Sequence, residues 1–169
     1  MSSPFVELAF KTIEAYAQDK KIILPPENLP LEMQKKAGAF VSIKKHHALR
    51  GCIGTFAPTK KNAAEEIIAM AVEAANFDPR FSPIQKSEIP ELEISVDILN
   101  TPEPVDSIKD LDPKKYGLIV QSGRKRGLLL PDLEGVDTPE YQIEICRQKA
   151  GIAPDDKIQL YRFTVERHL

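Results

Sequence analysis

Prolines cut this chain into short pieces, and they limit its architecture more than any other feature: fourteen of them occur in 169 residues. Each lacks an amide hydrogen and locks its own backbone angle, so none sits inside a helix or a central strand without cost. Pro25, Pro26 and Pro30 mark a loop, Pro79 and Pro83 end a helical pattern, and Pro102, Pro104 and Pro113 occupy a polar connector. No run between them approaches the ~18 apolar residues of a transmembrane helix. A 42% apolar and 28% charged composition still supplies what a globular core of this size needs, and it fits neither disorder nor a fibrous repeat.

Residues 4–18 carry Phe5, Leu8, Ala9, Ile13 and Tyr16 near helical spacing, after two serines suited to capping the first turn. Residues 39–45 read as a half-buried strand and residues 49–56 as its hairpin partner. Asn62 and Glu65 have capping-box spacing ahead of Ala64, Ile67, Ile68, Ala71 and Ala75, which line one face of a helix down to Asn76. Leu92, Ile94, Val96 and Ile98 alternate as a third strand with one core face. Residues 116–121 and 126–130, joined through Ser122 and Gly123, form a second hairpin. A helix then starts at Thr138 with Pro139 in its first position and stops at Gly151, with Pro154 just beyond. Residues 157–167 alternate again, with Tyr161 out of phase, and read as one closing strand. Two hairpins and few β-α-β alternations predict an α+β fold over residues 1–169, with a mixed, mainly antiparallel sheet flanked by helices.

The formal net charge of -2 supplies no basic field of the kind that dominates nucleic-acid affinity, so strong DNA binding is not expected. Ser2, Ser3 and Pro4 lead straight into the helical pattern without a signal-peptide layout. The expectation is a cytoplasmic protein with no membrane attachment and with Cys52 and Cys146 as reduced thiols. Neither metal nor cofactor is expected, because a Cys-His site needs more ligands than His46, His47 and the distant His168 provide.

The most unusual segment runs Leu49-Arg50-Gly51-Cys52-Ile53-Gly54-Thr55-Phe56. Glycines in a strand mark a bulge, a bend or a close approach of another backbone or ligand. Strand alternation places Arg50, Cys52 and Gly54 on one face and Gly51, Ile53 and Thr55 on the other. A guanidinium beside the thiol favours the thiolate and makes Cys52 nucleophilic. The alternative is that Cys52 packs as a small hydrophobe. Asp78-Pro79-Arg80-Phe81 joins a carboxylate, a guanidinium and an aromatic ring, either lining a pocket or fixing a turn by a local ion pair. His46 and His47 lie in the turn before Cys52, where a base for the thiol or a solvated turn are the two readings. Cys146 falls on a helix face with Ile143 and Ala150 and reads as packing.

The segment from Leu49 to Phe56 resembles the signature of the AMMECR-type family, bacterial members of which are called AmmeMemoRadiSam system protein A. Gly38-Ala39-Phe40-Val41, Asp78-Pro79-Arg80-Phe81, Ile94-Ser95-Val96 and Gly127-Leu128-Leu129-Leu130-Pro131 extend the resemblance over nearly the whole chain. After that proline the chain has Asp132-Leu133-Glu134-Gly135-Val136-Asp137, where the family often has a glutamine and further hydrophobic residues, and this resembles the bacterial subgroup. The resemblance implies an α+β fold with a larger and a smaller lobe and a groove to which the glycine-cysteine segment contributes. It implies partners as well, a Memo-like protein and a radical S-adenosylmethionine enzyme, but no established reaction.

Two functional readings follow. In one, the groove is a binding module, with Arg50 and Arg80 as anchors and Gly51, Gly54, Thr55 and Phe81 around them. In the other, Cys52 is the nucleophile of an enzyme, Arg50 activates it, and Asp78 or a histidine handles the proton. The absence of a phosphate-binding loop or a Ser-His-Asp order favours binding.

Overall fold

The structure, a computed structural model, describes residues 2–169. These residues form two compact units, one comprising residues up to Leu99 together with Glu166–Leu169, the other Asn100–Val165. Each unit is built on its own four-stranded sheet.

In the first unit, helix α1 (Pro4–Asp19) is capped by Ser3, whose hydroxyl accepts from the Phe5 amide. Its apolar stripe, Phe5, Val6, Leu8, Ala9 and Ile13, is buried. After it, the proline-rich stretch holds one short turn of helix, α2 (Leu31–Gln34). Strands β1 (Gly38–Lys45) and β2 (Ala48–Gly54) form the expected hairpin, and helix α3 (Ala63–Asn76) follows, with the Asn62 side chain accepting from the Glu65 amide. Strand β3 (Leu92–Leu99) then pairs antiparallel with β1. Ala39, Val41, Ile43 and Val96 are fully buried against Ala64, Ile67 and Ala71 of α3, since residues two apart on a strand share a face.

The second unit starts with a short edge strand, β4 (Glu103–Val105), whose Pro104 needs no ladder hydrogen bond at that edge. Strands β5 (Gly117–Ser122) and β6 (Lys125–Leu129) make the second hairpin. Helix α4 (Pro139–Ala150) follows, bounded as its sequence predicts: Thr138 caps the start and Gly151, at φ 68°, ends it in the left-handed conformation. Strand β7 (Gln159–Phe163) pairs with β5 on one side and β4 on the other. Leu118, Val120, Leu129 and Cys146 are the centre of this unit's core.

The closing segment departs from expectation. Instead of one strand over residues 157–167, the chain breaks at Thr164, and β8 (Val165–His168) joins β3 in the first sheet. The predicted single sheet is therefore two, ordered β2-β1-β3-β8 and β4-β7-β5-β6. All the pairings between β1 and β2, β1 and β3, β5 and β6, β5 and β7, and β4 and β7 are antiparallel.

These orders conceal a repetition. Hairpin, helix, strand recurs, with the third strand beside the first of the hairpin both times: β1-β2-α3-β3 and β5-β6-α4-β7. Each copy takes its fourth strand from the segment that follows the other copy's third, β8 after β7 and β4 after β3. A glycine makes the same contact in both. A Cβ on Gly51 would strike the Ala74 carbonyl of α3, and one on Gly127 the Cys146 carbonyl of α4, so both helices press backbone to backbone on the second hairpin strand.

Among the described residues no helix is long and apolar enough to cross a membrane.

Candidate functional site

Strand β2 is an edge of the first sheet, and its pairing with β1 is irregular. Gly51 lies opposite Ile43, but Leu49 lies opposite Lys44, so Arg50 is an extra residue on the strand. Such a bulge breaks the alternation locally and re-aims a side chain. The bulge carries the Arg50 guanidinium to Glu88, with Nε 3.0 Å from Oε1 and Nη2 3.1 Å from Oε2, and to the carbonyl oxygens of Ser82 and Pro83. Lys45 adds a 3.2 Å contact to the same carboxylate, and the Gln85 amide donates to it. Hydrogen bonds from Arg50, with those from Gln85 and Lys45, hold the Glu88 carboxyl down to about 2. Both side chains are mostly buried, at 15% and 14% exposure. Arg50 thus clamps the 3-10 turn over Lys86–Glu91 to the hairpin, whereas strict alternation had set it beside the thiol.

Cys52 is half-buried and in no disulfide. It lies opposite Ser42, whose Oγ is 3.2 Å from Sγ, and Ser42 in turn lies opposite Ser95 on β3. On the edge side, the Cys52 amide donates to Asp78 Oδ2 at 3.0 Å and its carbonyl accepts from Arg80 Nη2 at 3.2 Å. Asp78, buried just past α3, accepts from the Arg80 amide and Nε at its Oδ1 and from Arg80 Nη2 at its Oδ2. Arg80 foremost, with the Cys52 amide, holds its carboxyl well below the usual carboxylate range. Both oxygens of the Asp78 carboxylate are thus engaged. Arg80, although held on one edge, keeps 55% of its side chain exposed, and its guanidinium lies 5.3 Å from the Phe81 ring. Its pKa is raised, mainly by the hydrogen bonds it donates to Asp78. The guanidinium that touches Cys52, through its backbone carbonyl, is Arg80.

The remaining expected site residues fall into place around this pair. Gly51 faces α3. Gly54 lies under the Phe40 ring, which occupies the space a side chain there would need. Thr55 extends the β1 pairing, its amide donating to the Ala39 carbonyl at 3.0 Å and its hydroxyl accepting from the Ala39 amide at 3.3 Å. His46 and His47 occupy the hairpin turn with φ of 52° and 65°, exposed and facing Glu91 and Glu93 at 3.2 and 3.1 Å. Cys146 is fully buried, and burial pushes its thiol up to about 12. Sequence reasoning missed Ser42 and Glu88: strand pairing alone brings the first to Cys52, and the second lies 38 residues from its arginine.

Fold and site together define a family. The chain belongs to the AMMECR1 family, whose model matches residues 6–168. A Thermotoga maritima protein is 52% identical over 168 residues, covering 98% of this chain and 97% of its own length. A Clostridium acetobutylicum protein is 47% identical over 98% of this chain, which spans only 36% of that longer relative. The crystal structure of Pyrococcus horikoshii protein PH0010 shares the fold at a TM-score of 0.90 with 34% identity, over 96% of this chain and 88% of that one.

Proposed function

We propose that the face of the first sheet around Cys52 forms the recognition groove of a binding module, and that the module works with a Memo-like protein and a radical S-adenosylmethionine enzyme. The observation that supports this reading is the state of Asp78. Its carboxylate receives four hydrogen bonds, from Arg80 and the Cys52 amide, so it anchors a presented guanidinium instead of moving a proton. The Clostridium acetobutylicum relative, which carries a matching region within a much longer chain, is consistent with a module that functions beside other protein parts. Isothermal titration of the purified chain with the Memo-like and radical enzymes of the same genome tests it. Binding to at least one of them should weaken about tenfold in Arg80→Met, measured well below the variant's melting temperature, which falls because buried Asp78 loses its partner. Absence of binding to both would sink the reading.

The second reading, a cysteine-dependent enzyme, is favoured by one observation, the Arg80 guanidinium 3.2 Å from the Cys52 carbonyl on the strand that carries the thiol. Arg80 takes the place of Arg50 as activator in that case.

A further inference from the structure

The repeated hairpin-helix-strand unit supplies an internal control for the Cys52 site. Gly51 and Gly127 mark the same place in the two copies, so Cys52 corresponds to Leu128. The Leu128 carbonyl also accepts from a cation at the end of the following helix, Lys149 Nζ at 2.7 Å, as the Cys52 carbonyl accepts from Arg80. A cation on this carbonyl is therefore something the fold uses in both copies. Three things are found only in the first. A buried carboxylate, Asp78, braces the cation. The cation is a planar guanidinium instead of an ammonium. The row across the sheet is Cys52-Ser42-Ser95, where the second copy has Leu128-Ile119-Tyr161. Capping a carbonyl requires none of these. A braced guanidinium that keeps its Nη1 hydrogens for a further acceptor, on a half-exposed side chain, is what recognition of a singly charged anion requires.

We propose that Arg80, held in place by Asp78, is the anchor of a carboxylate subsite that brings a carboxylate-bearing ligand alongside the Cys52 thiol. This rests on the binding-module reading and names the chemistry of its ligand. A carboxylate, with its single charge, matches one presented guanidinium: on the hairpin Arg50 and Lys45 are committed to Glu88 and Glu91, and the exposed Lys44 adds only a solvated ammonium two residues from Ser42. Arg80 contacts the ligand and Asp78 acts through Arg80, as a positioning residue.

The thiol itself reports on the subsite. Iodoacetate and iodoacetamide alkylate the same thiolate and differ in a carboxylate against a neutral amide. Their rate ratio at Cys52 therefore cancels changes in thiol acidity. Followed by peptide mass mapping in the native full chain, the iodoacetate-to-iodoacetamide ratio should exceed that of the unfolded chain by about fivefold, the worth of one charge pair at a protein surface. Arg80→Met should return it to the unfolded value, and Asp78→Asn should lower it part of the way. A native ratio equal to the unfolded one overturns the subsite, and so does a Cys52 that neither reagent reaches before unfolding. Should Arg80→Met fold poorly, the wild-type chain decides alone: acetate, but not acetamide or chloride, should slow alkylation by iodoacetate, and no such protection overturns the subsite. Stronger protection by acetylglycylglycine than by acetate places the carboxylate at a peptide end, and equal protection places it on a free small acid. Partner binding that persists with an unselective Cys52 would remove the carboxylate subsite and leave the binding module standing.

Discussion

Arg50 Nε lies 3.0 Å from Glu88 Oε1, and this contact joins the hairpin to the turn that precedes β3. Both partners are largely buried, so removing one leaves the other poorly solvated. Arg50→Met should lower stability by about 2 kcal/mol, read as a drop in melting temperature. The pH dependence carries a sign. Glu88 sits at about 2 in the folded state against an ordinary 4.5, so its contribution is present in full above pH 4.5 and is lost as pH falls toward 2. Melting curves of wild type should steepen in their pH dependence across that window, and those of Arg50→Met should be flatter there. Parallel curves for the two would reject the clamp.

The two cysteines should behave as different chemical species. Cys146 is fully buried with its thiol pushed up to about 12, whereas Cys52 is half-buried beside a cation. Alkylation of the native protein near pH 8 should modify Cys52 alone, with Cys146 reacting only on unfolding. Equal native rates would contradict this. The pH midpoint of Cys52 alkylation should rise in Arg80→Met and stay put in Arg50→Met, which separates the two guanidinium groups by function.

Substitution of the packed glycines gives a structural test of the repeated unit. Gly51→Ala and Gly127→Ala each place a methyl against a helix carbonyl, and both should destabilise by roughly 2–3 kcal/mol because backbone cannot easily yield. Gly123→Ala meets no atom and only a φ of 59°, so its cost should be about 1 kcal/mol. A small effect at Gly51 in thermal melts would mean that α3 shifts to make room.

Gly54→Val and Gly135→Val should both lower the melting temperature, for unrelated reasons. The first drives side-chain atoms into the Phe40 ring and the Ala39 carbonyl, and the second forces a β-branched residue to a φ of 82° in open space. Only the first should alter the alkylation rate of Cys52. An unchanged rate in Gly54→Val would detach Gly54 from the thiol's surroundings.

Local signals were legible and pairings were not. The bounds of α4 could be read because its cap, its first proline and its terminal glycine all act within one turn of the residues they define. Alternation over residues 157–167 showed which side chains lie on one face, but a period of two is silent about the partner strand. β7 and β8 therefore merged although they belong to different sheets. The same blindness explains Arg50. Alternation assumes one residue per partner residue, and the bulge at Arg50, opposite Ile43 and Lys44, violates that with no local mark beyond the neighbouring glycine. Asp78 and Arg80 were recognisable as an ion pair because they are two residues apart, yet their shared grip on Cys52 spans 26 and 28 residues.

The reciprocal loan of β4 and β8 has a consequence for inheritance. A lineage in which one ancestral module was copied in tandem would ordinarily be free to lose, replace or shuffle either copy. Here a gene that ended after β3 would encode a sheet without β8, leaving one side of β3 unpaired and Asp97 buried without Arg167, which reaches it from β8 at 2.8 Å. A gene beginning at β5 would leave β7 without its β4 neighbour. A truncation in either half therefore strips a strand from the other, and the two halves, with a thiol at Cys52 in one and Leu128 at the corresponding place in the other, have to be inherited together.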